Sequence, residues 1–187
     1  MSSRRRNPIL AALLLLAFGA TAARTQEPVS GGIEFKAGGT PGLETIYLRG
    51  TGSTDPEGLL RIEIWVNEVT DLYGLGFALQ FSQKLLKFPK SRSTVFVEGP
   101  FLSGETGQET ILLVRQTGKE VIVGLSRKGE VEGVSGSGHL LTLEFRGLGV
   151  AGKKLFRLKR RNAFDSSGAA METVSWQAGK VAVTLPE

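Results

Sequence analysis

The chain has 187 residues, no cysteine, one histidine and a formal net charge of +5. The absence of cysteine excludes disulfide bonds, so a packed hydrophobic core must supply the stability. Arg4, Arg5 and Arg6 stand near the N-terminus, and without them 20 Lys and Arg residues face 18 Asp and Glu residues, a charge of +2. This near-balance gives no support for nucleic-acid binding.

The N-terminal segment has the three parts of a secretory signal peptide. Arg4, Arg5 and Arg6 precede an apolar run over residues 9–20, and the small residues Ala20-Thr21-Ala22 follow. The run is shorter than the ~20 residues that a membrane-spanning helix needs. We therefore predict a signal peptide over residues 1–23, with an uncleaved N-terminal anchor as the alternative. The mature chain is expected to be secreted, extracellular or periplasmic, without a transmembrane segment.

Residues 24–43 are rich in glycine, proline and polar residues and have no sustained period. This composition is typical of a linker. We predict a flexible linker over residues 24–43 and one folded domain over residues 44–187. A domain of this size can bury about two-thirds of the surface of its unfolded chain.

The rest of the chain is a series of short alternating segments divided by turn signals. In residues 61–67, for example, Ile62, Ile64 and Val66 alternate with polar or aromatic neighbours. No stretch keeps a helical apolar period for three turns. The pattern predicts an all-β, antiparallel sandwich or barrel with one side of each sheet facing water. Further strands are predicted at residues 45–50, 75–81, 109–115, 120–126, 139–146, 153–161 and 180–185.

Gly133, Gly136 and Gly138 stand among serines directly before the alternating segment 139–146. A phosphate-binding loop needs glycines that open a helix, so that backbone N–H groups and the helix dipole meet the anion. Here the glycines open a strand, and no Gly-Lys-Ser/Thr sequence follows. We therefore predict a turn with positive φ and close backbone approach rather than a phosphate site.

Three stretches resemble parts of a cohesin domain in their order and spacing, which together cover residues 45–185. LYGLGFALQFSQKLLKF (72–88) resembles an early cohesin strand with its aromatic-Gly opening, and GVSGSGHLLTLEFRGLGVAGK (133–153) resembles a later Gly-x-Gly stretch. FDSSGAAMETVSWQAGKVAVT (164–184) resembles the closing segment. One departure is Phe81-Ser82-Gln83, which stands where the family usually has Tyr-Asp-Pro.

The resemblance implies an antiparallel jelly-roll β-sandwich of about nine strands and a non-catalytic role. Cohesins are extracellular modules that bind dockerin modules, which carry calcium loops, and they share a superfamily with some cellulose-binding modules. The expected partner is therefore a protein, a calcium-loaded dockerin-like module, in an extracellular assembly linked to polysaccharide degradation. The alternative is a carbohydrate-binding module or surface adhesin.

Catalytic and metal-binding groups are few. His139 is the one histidine and is expected to be a solvent-exposed residue at the start of a strand, since a catalytic base needs a nearby nucleophile or orienting acid. Asp55, Asp71 and Asp165 form no Asp-x-Asp-x-Asp run, so the chain is not an EF-hand. We predict no catalytic residue, no metal site and no cofactor. A small envelope hydrolase stays as a third hypothesis, because two carboxylates could still meet in space.

The outward side of the predicted central sheet is the candidate partner-binding surface. If the alternation holds, it is flat, made of small residues and mildly apolar, and such patches often mark protein partners. In cohesins a sheet face of this kind takes the dockerin helices. The alternative is that a loop or the N-terminal arm covers it. The predicted residues are Gly76, Ala78, Gln80, Ile122, Gly124, Leu140 and Thr142.

Two further features have a functional and a structural interpretation. Trp65 lies on the polar side of its strand, where it could stack on a carbohydrate or simply pack at an edge. The basic segment 153–161 could meet an anionic partner, or its charges could protect an edge strand from aggregation. We favour the structural interpretation for both features, and we keep Trp65 as the candidate carbohydrate-binding residue of the alternative function.

Overall fold

The structure, a computed structural model, describes residues 31–89, 95–104 and 106–186. Within these ranges the chain forms thirteen strands, and no helix there is long and apolar enough to cross a membrane. The predicted signal peptide, residues 1–23, lies outside the described residues. The strands are β1 (Gly32–Ala37), β2 (Thr45–Thr51), β3 (Leu59–Leu72), β4 (Gly74–Gln80), β5 (Leu86–Lys87), β6 (Phe96–Glu98), β7 (Thr110–Thr117), β8 (Glu120–Arg127), β9 (Val134–Gly147), β10 (Gly152–Leu155), β11 (Arg157–Phe164), β12 (Ser175–Gln177) and β13 (Gly179–Thr184).

The strands form three sheets. The six-stranded sheet has the order β12-β2-β3-β9-β5, with β6 also paired to β9. The four-stranded sheet has the order β11-β4-β8-β7, and the three-stranded sheet has the order β1-β13-β10. The one parallel pair among them is β12 with β2. The predicted all-β sandwich is confirmed. The strands outnumber the predicted nine partly because β5, β6 and β12 are pairing segments of only two or three residues.

The two larger sheets enclose the hydrophobic core. Ile62, Ile64 and Val66 of β3 are fully buried, as their alternation predicts. From the opposite sheet, Phe77 of β4 points inward, and its ring centroid lies 5.8 Å from that of Trp176 on β12. Burial of alternate apolar side chains from both sheets therefore holds the sandwich together.

Phe145 of β9 is the centre of an aromatic cluster in this core. Its ring centroid lies 5.1 Å from Phe81, 5.2 Å from Phe88 and 5.5 Å from Phe156. The interplanar angles of 56° to 61° give tilted or edge-on arrangements, which aromatic rings prefer over a face-to-face sandwich. The cluster joins β9 to the loops that follow β4, β5 and β10.

Strand β1 lies inside the segment predicted as a linker. It pairs with β13 from Gly32 to Ala37, and Ile33 exchanges two backbone hydrogen bonds with Ser53, with N–O distances of 2.7 and 3.1 Å. Ile33 is buried in the core. The linker prediction is therefore wrong for residues 32–37. These residues contain a short apolar alternation, but the prediction was based on the glycines and the proline around it. Residues 24–30 lie outside the described residues.

The long strand β3 is bulged twice where it pairs with the glycine run of β9. Glu68 and Asp71 have positive φ angles of 49° and 57°, and the register with β9 shifts on either side of them. Their amides donate hydrogen bonds to Ser137 Oγ at 2.9 Å and to Ser135 Oγ at 3.0 Å. The serine side chains thus satisfy backbone donors that a bulge removes from the ladder.

The glycines opposite these bulges allow the two strands to approach. A Cβ atom at Gly133 would overlap the backbone carbonyl of Asp71, and one at Gly138 would overlap the ring of Phe101. Gly136 has a φ of 115°, which L side chains rarely adopt. Close approach and positive φ are therefore confirmed. The run belongs to a strand rather than to a turn, since β9 begins at Val134.

The basic segment predicted as one strand is two edge strands. β10 pairs only with β13, and β11 pairs only with β4. Phe156, between them, is buried in the aromatic cluster and interrupts the ladder. Exposed Lys and Arg side chains on both edges fit the structural interpretation, because charge on an edge strand discourages pairing with another chain.

Candidate functional site

The outward side of the four-stranded sheet, called here the outer face, has a chemistry unlike its inward side. Leu75, Phe77 and Leu79 of β4 point into the core, so the residues between them point outward. The register of the four strands groups the outward residues into rows. In the strand order β11, β4, β8, β7 these are Phe164, Gly74, Ser126 and Ile111; Asn162, Gly76, Gly124 and Leu113; Lys159, Ala78, Ile122 and Arg115; and Arg157, Gln80, Glu120 and Thr117.

The first two rows form an apolar trough. Leu113 and Ile111 make one wall on β7, with 69% and 47% of their surface exposed, and Phe164 makes the other wall on β11 at 37%. The space between them has a volume of about 350 Å³ and reaches Tyr73 and Gly168 at one end. Gly74, Gly124 and Ser126 line its floor, and Gly76, which lies opposite Gly124 in the sheet, extends the floor along β4. We call this set of walls and floor the trough.

The glycines of the floor keep the trough open. A Cβ atom at Gly124 would meet nothing within 4 Å, and one at Gly76 would meet only the Val123 carbonyl oxygen at 3.8 Å. Neither residue has a positive φ, so their backbones do not require glycine. A larger side chain at either position would fill the trough without straining the strand, so packing within the sheet does not explain these two glycines. Gly74 differs, because a Cβ atom there would lie 2.9 Å from Ser126 Cβ.

The other two rows are rich in Lys and Arg, and we call this part of the outer face the basic end. Its exposed cations are Arg115 of β7 and Arg157, Lys159 and Arg160 of β11. Glu120 of β8 is the one acidic residue in the four rows. Lys159 Nζ lies 3.5 Å from Glu120 Oε1, and Arg160 hydrogen-bonds to Oε2 of the same carboxylate. This hydrogen bond from Arg160 is the main reason that the pKa of Glu120 is lowered.

Five of the seven predicted partner-binding residues lie together on the outer face. Gly76, Gln80, Ile122 and Gly124 are accessible there, and Ile122 is 40% exposed. Ala78 occupies the predicted position but has no exposed surface. The ion pairs from Lys159 and Arg160 to Glu120 cross β4 beside this small side chain, and Ile122 flanks it on the other side.

Leu140 and Thr142 do not belong to this surface, and their prediction is wrong. Both lie on β9 in the six-stranded sheet. The register between β3 and β9 shifts at Leu140, so this residue is fully buried next to the equally buried Leu141. Thr142 points outward on the opposite side of the sandwich, where its Oγ1 lies 3.0 Å from His139 Nε2. A simple alternation with period two cannot place residues beyond a bulge.

Trp65 lies on the outward side of the six-stranded sheet and is half-buried. The guanidinium of Arg49 lies over its ring, 4.5 Å from the centroid, and the His139 ring centroid lies 5.2 Å away. The indole Nε1 donates a hydrogen bond to Glu63 Oε2 at 2.8 Å. The indole is therefore engaged by its neighbours, which leaves less of it free as a platform for a sugar.

Two titratable residues outside the outer face, His139 and Asp165, have structural partners. His139 is half-buried rather than exposed as expected, since it packs on Trp65. Asp165 Oδ1 accepts hydrogen bonds from the amides of Ser167 and Ala169, both at 2.9 Å, which is an Asx-type turn. No group of three or more His, Asp or Glu residues within 31–89, 95–104 and 106–186 is placed to hold a metal ion.

The sequence interpretation missed Ile111, Leu113 and Phe164, which form the walls of the trough. Residues 111–114 read Ile-Leu-Leu-Val, so both sides of β7 are apolar and no alternation marks the outward one. A signal was nevertheless present, because a strand that is apolar on both sides is typical of a surface that meets something on each side. Phe164 lies beyond the predicted strand over residues 153–161, so the alternation assigned it to neither side of a sheet, whereas β11 continues to Phe164.

No protein-family model matches the chain, and no curated protein matches it. Solved structures do. A non-cellulosomal cohesin from the archaeon Archaeoglobus fulgidus is 13% identical with a TM-score of 0.53, and the match covers 79% of this chain and 88% of that one. The second type II cohesin module of the ScaA scaffoldin of Acetivibrio cellulolyticus is 12% identical with a TM-score of 0.57, covering 80% and 88%.

A cohesin in a type II cohesin–X-dockerin complex from Acetivibrio cellulolyticus is similar as well. It is 13% identical with a TM-score of 0.55, and the match covers 76% of this chain and 93% of that one. The resemblance to cohesins predicted from the sequence motifs is thus confirmed in the fold. The chain is a β-sandwich with the cohesin fold, and its sequence is only 12–13% identical to these structures.

Proposed function

We propose that this chain is a non-catalytic binding module that docks a helical protein partner, a dockerin-like module, on the outer face of its four-stranded sheet. The trough is the observation that carries the proposal. It exposes Ile111, Leu113 and Phe164 around a floor of glycines, and exposed apolar groups of this kind are typical of protein interfaces.

The dimensions of the trough fit an α-helix. Its walls stand on β11 and β7, which are three strand spacings apart, or about 14 Å at about 4.8 Å per spacing. An α-helix with its side chains is about 10–12 Å wide. A helix lying along β4 and β8 therefore contacts both walls, and the glycines let its backbone come close to the sheet.

The structural neighbours support a partner of the dockerin kind. One similar cohesin is described in a complex with an X-dockerin, and another is described in complex with the ScaB dockerin. We extend this to the present chain as part of the proposal, together with a calcium requirement that belongs to the partner. The predicted signal peptide over residues 1–23 supports a secreted setting, and an assembly that degrades polysaccharide is the context that the resemblance implies.

To test the proposal, residues 24–187 of this chain are immobilised and the retention of purified dockerin modules is measured, for each module once in calcium and once in EDTA. We expect a dockerin to be retained in calcium, released by EDTA and lost on Leu113→Arg. Val97→Arg is the matched control, since Val97 is 59% exposed on β6 in the other sheet. Retention that Leu113→Arg leaves unchanged would place the contact elsewhere. If no dockerin is retained, the partner is not of this class.

Carbohydrate binding through Trp65 is the second hypothesis from the sequence, and it has weaker support. Arg49 already lies over the indole, so a sugar would have to displace this cation. A glycan array and a pull-down on insoluble cellulose test it directly. Binding that is lost on Trp65→Ala and kept on Leu113→Arg would favour this hypothesis over protein docking.

A further inference from the structure

The basic end of the outer face has a charge that its own residues do not balance. Four cations surround one carboxylate, and Glu120 pairs with two of them, Lys159 and Arg160. Arg115 and Arg157 form no ion pair with any residue that the structure describes. The two arginines stand on the two edge strands of this sheet, and their unpaired positive charge is one that an acidic group from outside would stabilise.

The outward side of the six-stranded sheet is arranged differently. Arg61 Nε lies 2.8 Å from Glu144 Oε1, and Arg49 lies over Trp65, whose Nε1 bonds to Glu63. Arg61 and Arg49 there have partners within the chain, whereas Arg146 and Lys87, which lie opposite each other on β9 and β5, are in no ion pair among the described residues. The positive charge of the basic end differs from that pair in its position, because it lies next to the apolar trough, on the surface already proposed as a docking site.

We infer that the partner helix carries carboxylates at one end, which lie over Arg115 and Arg157 while its apolar residues lie in the trough. This inference rests on the proposed function and names the partner's chemistry. Glu120 holds Lys159 and Arg160 flat against β4 and β8, so the two arginines at the margins are the cations left for the partner. The charged end then fixes the direction of the helix in the trough.

The spacing of the rows gives the spacing of the partner's residues. Successive outward residues on a strand are about 6.8 Å apart, and a helix rises about 1.5 Å per residue. The row that contains Arg115 lies one such spacing beyond the row of Leu113, and the row that contains Arg157 lies two spacings beyond it. The carboxylates are therefore expected about one to three helical turns from the apolar residue that contacts Leu113.

An anionic polysaccharide would also meet the basic end, but it fits the rest of the face poorly. Two of the three wall residues, Ile111 and Leu113, are branched aliphatic groups, and Phe164 is the one aromatic side chain of the walls, so they lack the several aromatic platforms on which a sugar chain stacks. Glu120 also stands in the middle of the path that a polyanion would follow. A protein helix with an apolar stripe and an acidic end uses both halves of the surface.

A helical library displayed on phage, with one helix face randomised, tests the inference without a known partner. The chain over residues 24–187 is the target, and the probes are the selected helices, assayed as peptides at 50 and 500 mM NaCl. The variants are Arg115→Glu with Arg157→Glu, and Leu113→Arg. Lys153→Glu with Lys154→Glu is the matched control, because both lysines are exposed on β10 outside the outer face.

We expect helices with an apolar stripe and Asp or Glu at one end. Their affinity should fall at least tenfold with Arg115→Glu and Arg157→Glu, fall again at high salt, and stay within twofold in the control. This inference would be overturned, and the proposed function left standing, if the selected helices lose affinity on Leu113→Arg but carry no acidic end. The same holds if their affinity is unchanged by Arg115→Glu with Arg157→Glu. Binders that ignore Leu113→Arg, or no binders, would overturn both. Binding to polygalacturonate that the charge reversal abolishes would assign the basic end to a polysaccharide and also overturn the inference.

Discussion

Asp71 on β3 accepts a hydrogen bond through Oδ1 from the backbone amide of Gly133, at an N–O distance of 2.8 Å. Its other oxygen, Oδ2, accepts hydrogen bonds from the Ser166 hydroxyl at 2.8 Å and the Ser166 amide at 3.3 Å. One carboxylate thus joins the end of β3, the start of β9 and the turn after β11. It lies at the end of the sandwich next to the trough, since Phe164 at the end of β11 and Gly168 in the turn that follows both line the trough.

The Asp71 carboxylate should make stability depend on pH. The hydrogen bond from the Ser166 hydroxyl, and next the one from the Gly133 amide, lower the pKa of Asp71. A carboxylate whose pKa is lower in the folded protein than its unfolded pKa of about 3.9 stabilises the fold at pH values above this unfolded pKa. This stabilisation is lost as the pH falls through the lower pKa of the folded state. Asp71→Asn should therefore lower Tm at pH 7 and differ less from the wild type at pH 3. Thermal melts at both pH values measure this.

Asp55→Asn serves as the control for that experiment, because the Asp55 carboxylate accepts only a local hydrogen bond, from the amide of Glu57 two residues away. A constant Tm difference between Asp71→Asn and the wild type from pH 7 to pH 3 would contradict the role of the ionised carboxylate. Other acidic groups titrate equally in both proteins and cancel in the comparison.

Gly133→Ala should destabilise the fold. Its Cβ atom would overlap the Asp71 backbone carbonyl, so β3 and β9 would have to separate at this point. We expect a loss of about 1–3 kcal/mol, the usual range for overpacking a tight contact. Gly124→Ala is the matched control, since a Cβ atom there meets open space. Urea denaturation of the two variants compares them, and equal free energies of unfolding would refute the close approach as the reason for Gly133.

Strand β1 should contribute measurably to stability, although composition suggests a linker. Ile33 is 4% exposed and pairs with both β13 and Ser53. Ile33→Ala should lower the free energy of unfolding by about 2 kcal/mol or more, as for other buried Ile-to-Ala changes. Leu43→Ala, at a residue 76% exposed, should change it by less than about 0.5 kcal/mol. If both variants unfold at the wild-type urea concentration, β1 is not part of the cooperative unit.

The aromatic cluster should depend most on its central member. Phe145 contacts three other rings and has no exposed surface, so Phe145→Ala should cost about 3–5 kcal/mol. Phe164→Ala removes the same atoms from the trough wall and should cost much less stability while weakening docking. Urea denaturation separates the two effects. A Phe164→Ala loss as large as that of Phe145→Ala would mean that Phe164 is a core residue.

Filling the trough should block docking without unfolding the protein. Gly124→Val places a side chain where a Cβ atom meets nothing, in a central strand where a β-branched residue is favourable. We expect Tm to stay equal or rise, and the affinity for a dockerin retained by the wild type to fall at least tenfold. Gly124→Ala should give a smaller loss. Unchanged affinity for both variants would show that the partner does not enter the trough.

Much of the fold is readable from alternation, because a side chain in a strand points either into the core or out of it. Residues 61–67 show this clearly, as Ile62, Ile64 and Val66 are all buried. Alternation fails where the chain departs from a regular pleat. Leu140 lies at a register shift of β9 and turns inward, although the count from the sequence points it outward.

The candidate site was predicted in part for a related reason. Gly76, Gln80, Ile122 and Gly124 lie on two adjacent strands whose outward residues the pattern identifies. Placing Thr142 with them required knowing which strands share a sheet, and that is set by pairing between residues far apart in sequence. The walls of the trough could not be found from alternation, since Ile111 and Leu113 adjoin Leu112 and Val114, which are apolar on the inward side.

In many interfaces the same side chains both pack against the core and contact the partner. The glycine floor of the trough separates these two roles. The floor glycines have no side chain to offer either the core or a partner. In the docking that we propose, selectivity therefore resides in the three wall residues and the two flanking arginines. Those positions are solvent-facing and can change without repacking the interior. A docking module built in this way is suited to rapid divergence of partner choice on a constant scaffold, and to engineering of orthogonal pairs by exchange of Ile111, Leu113, Phe164 and the two arginines.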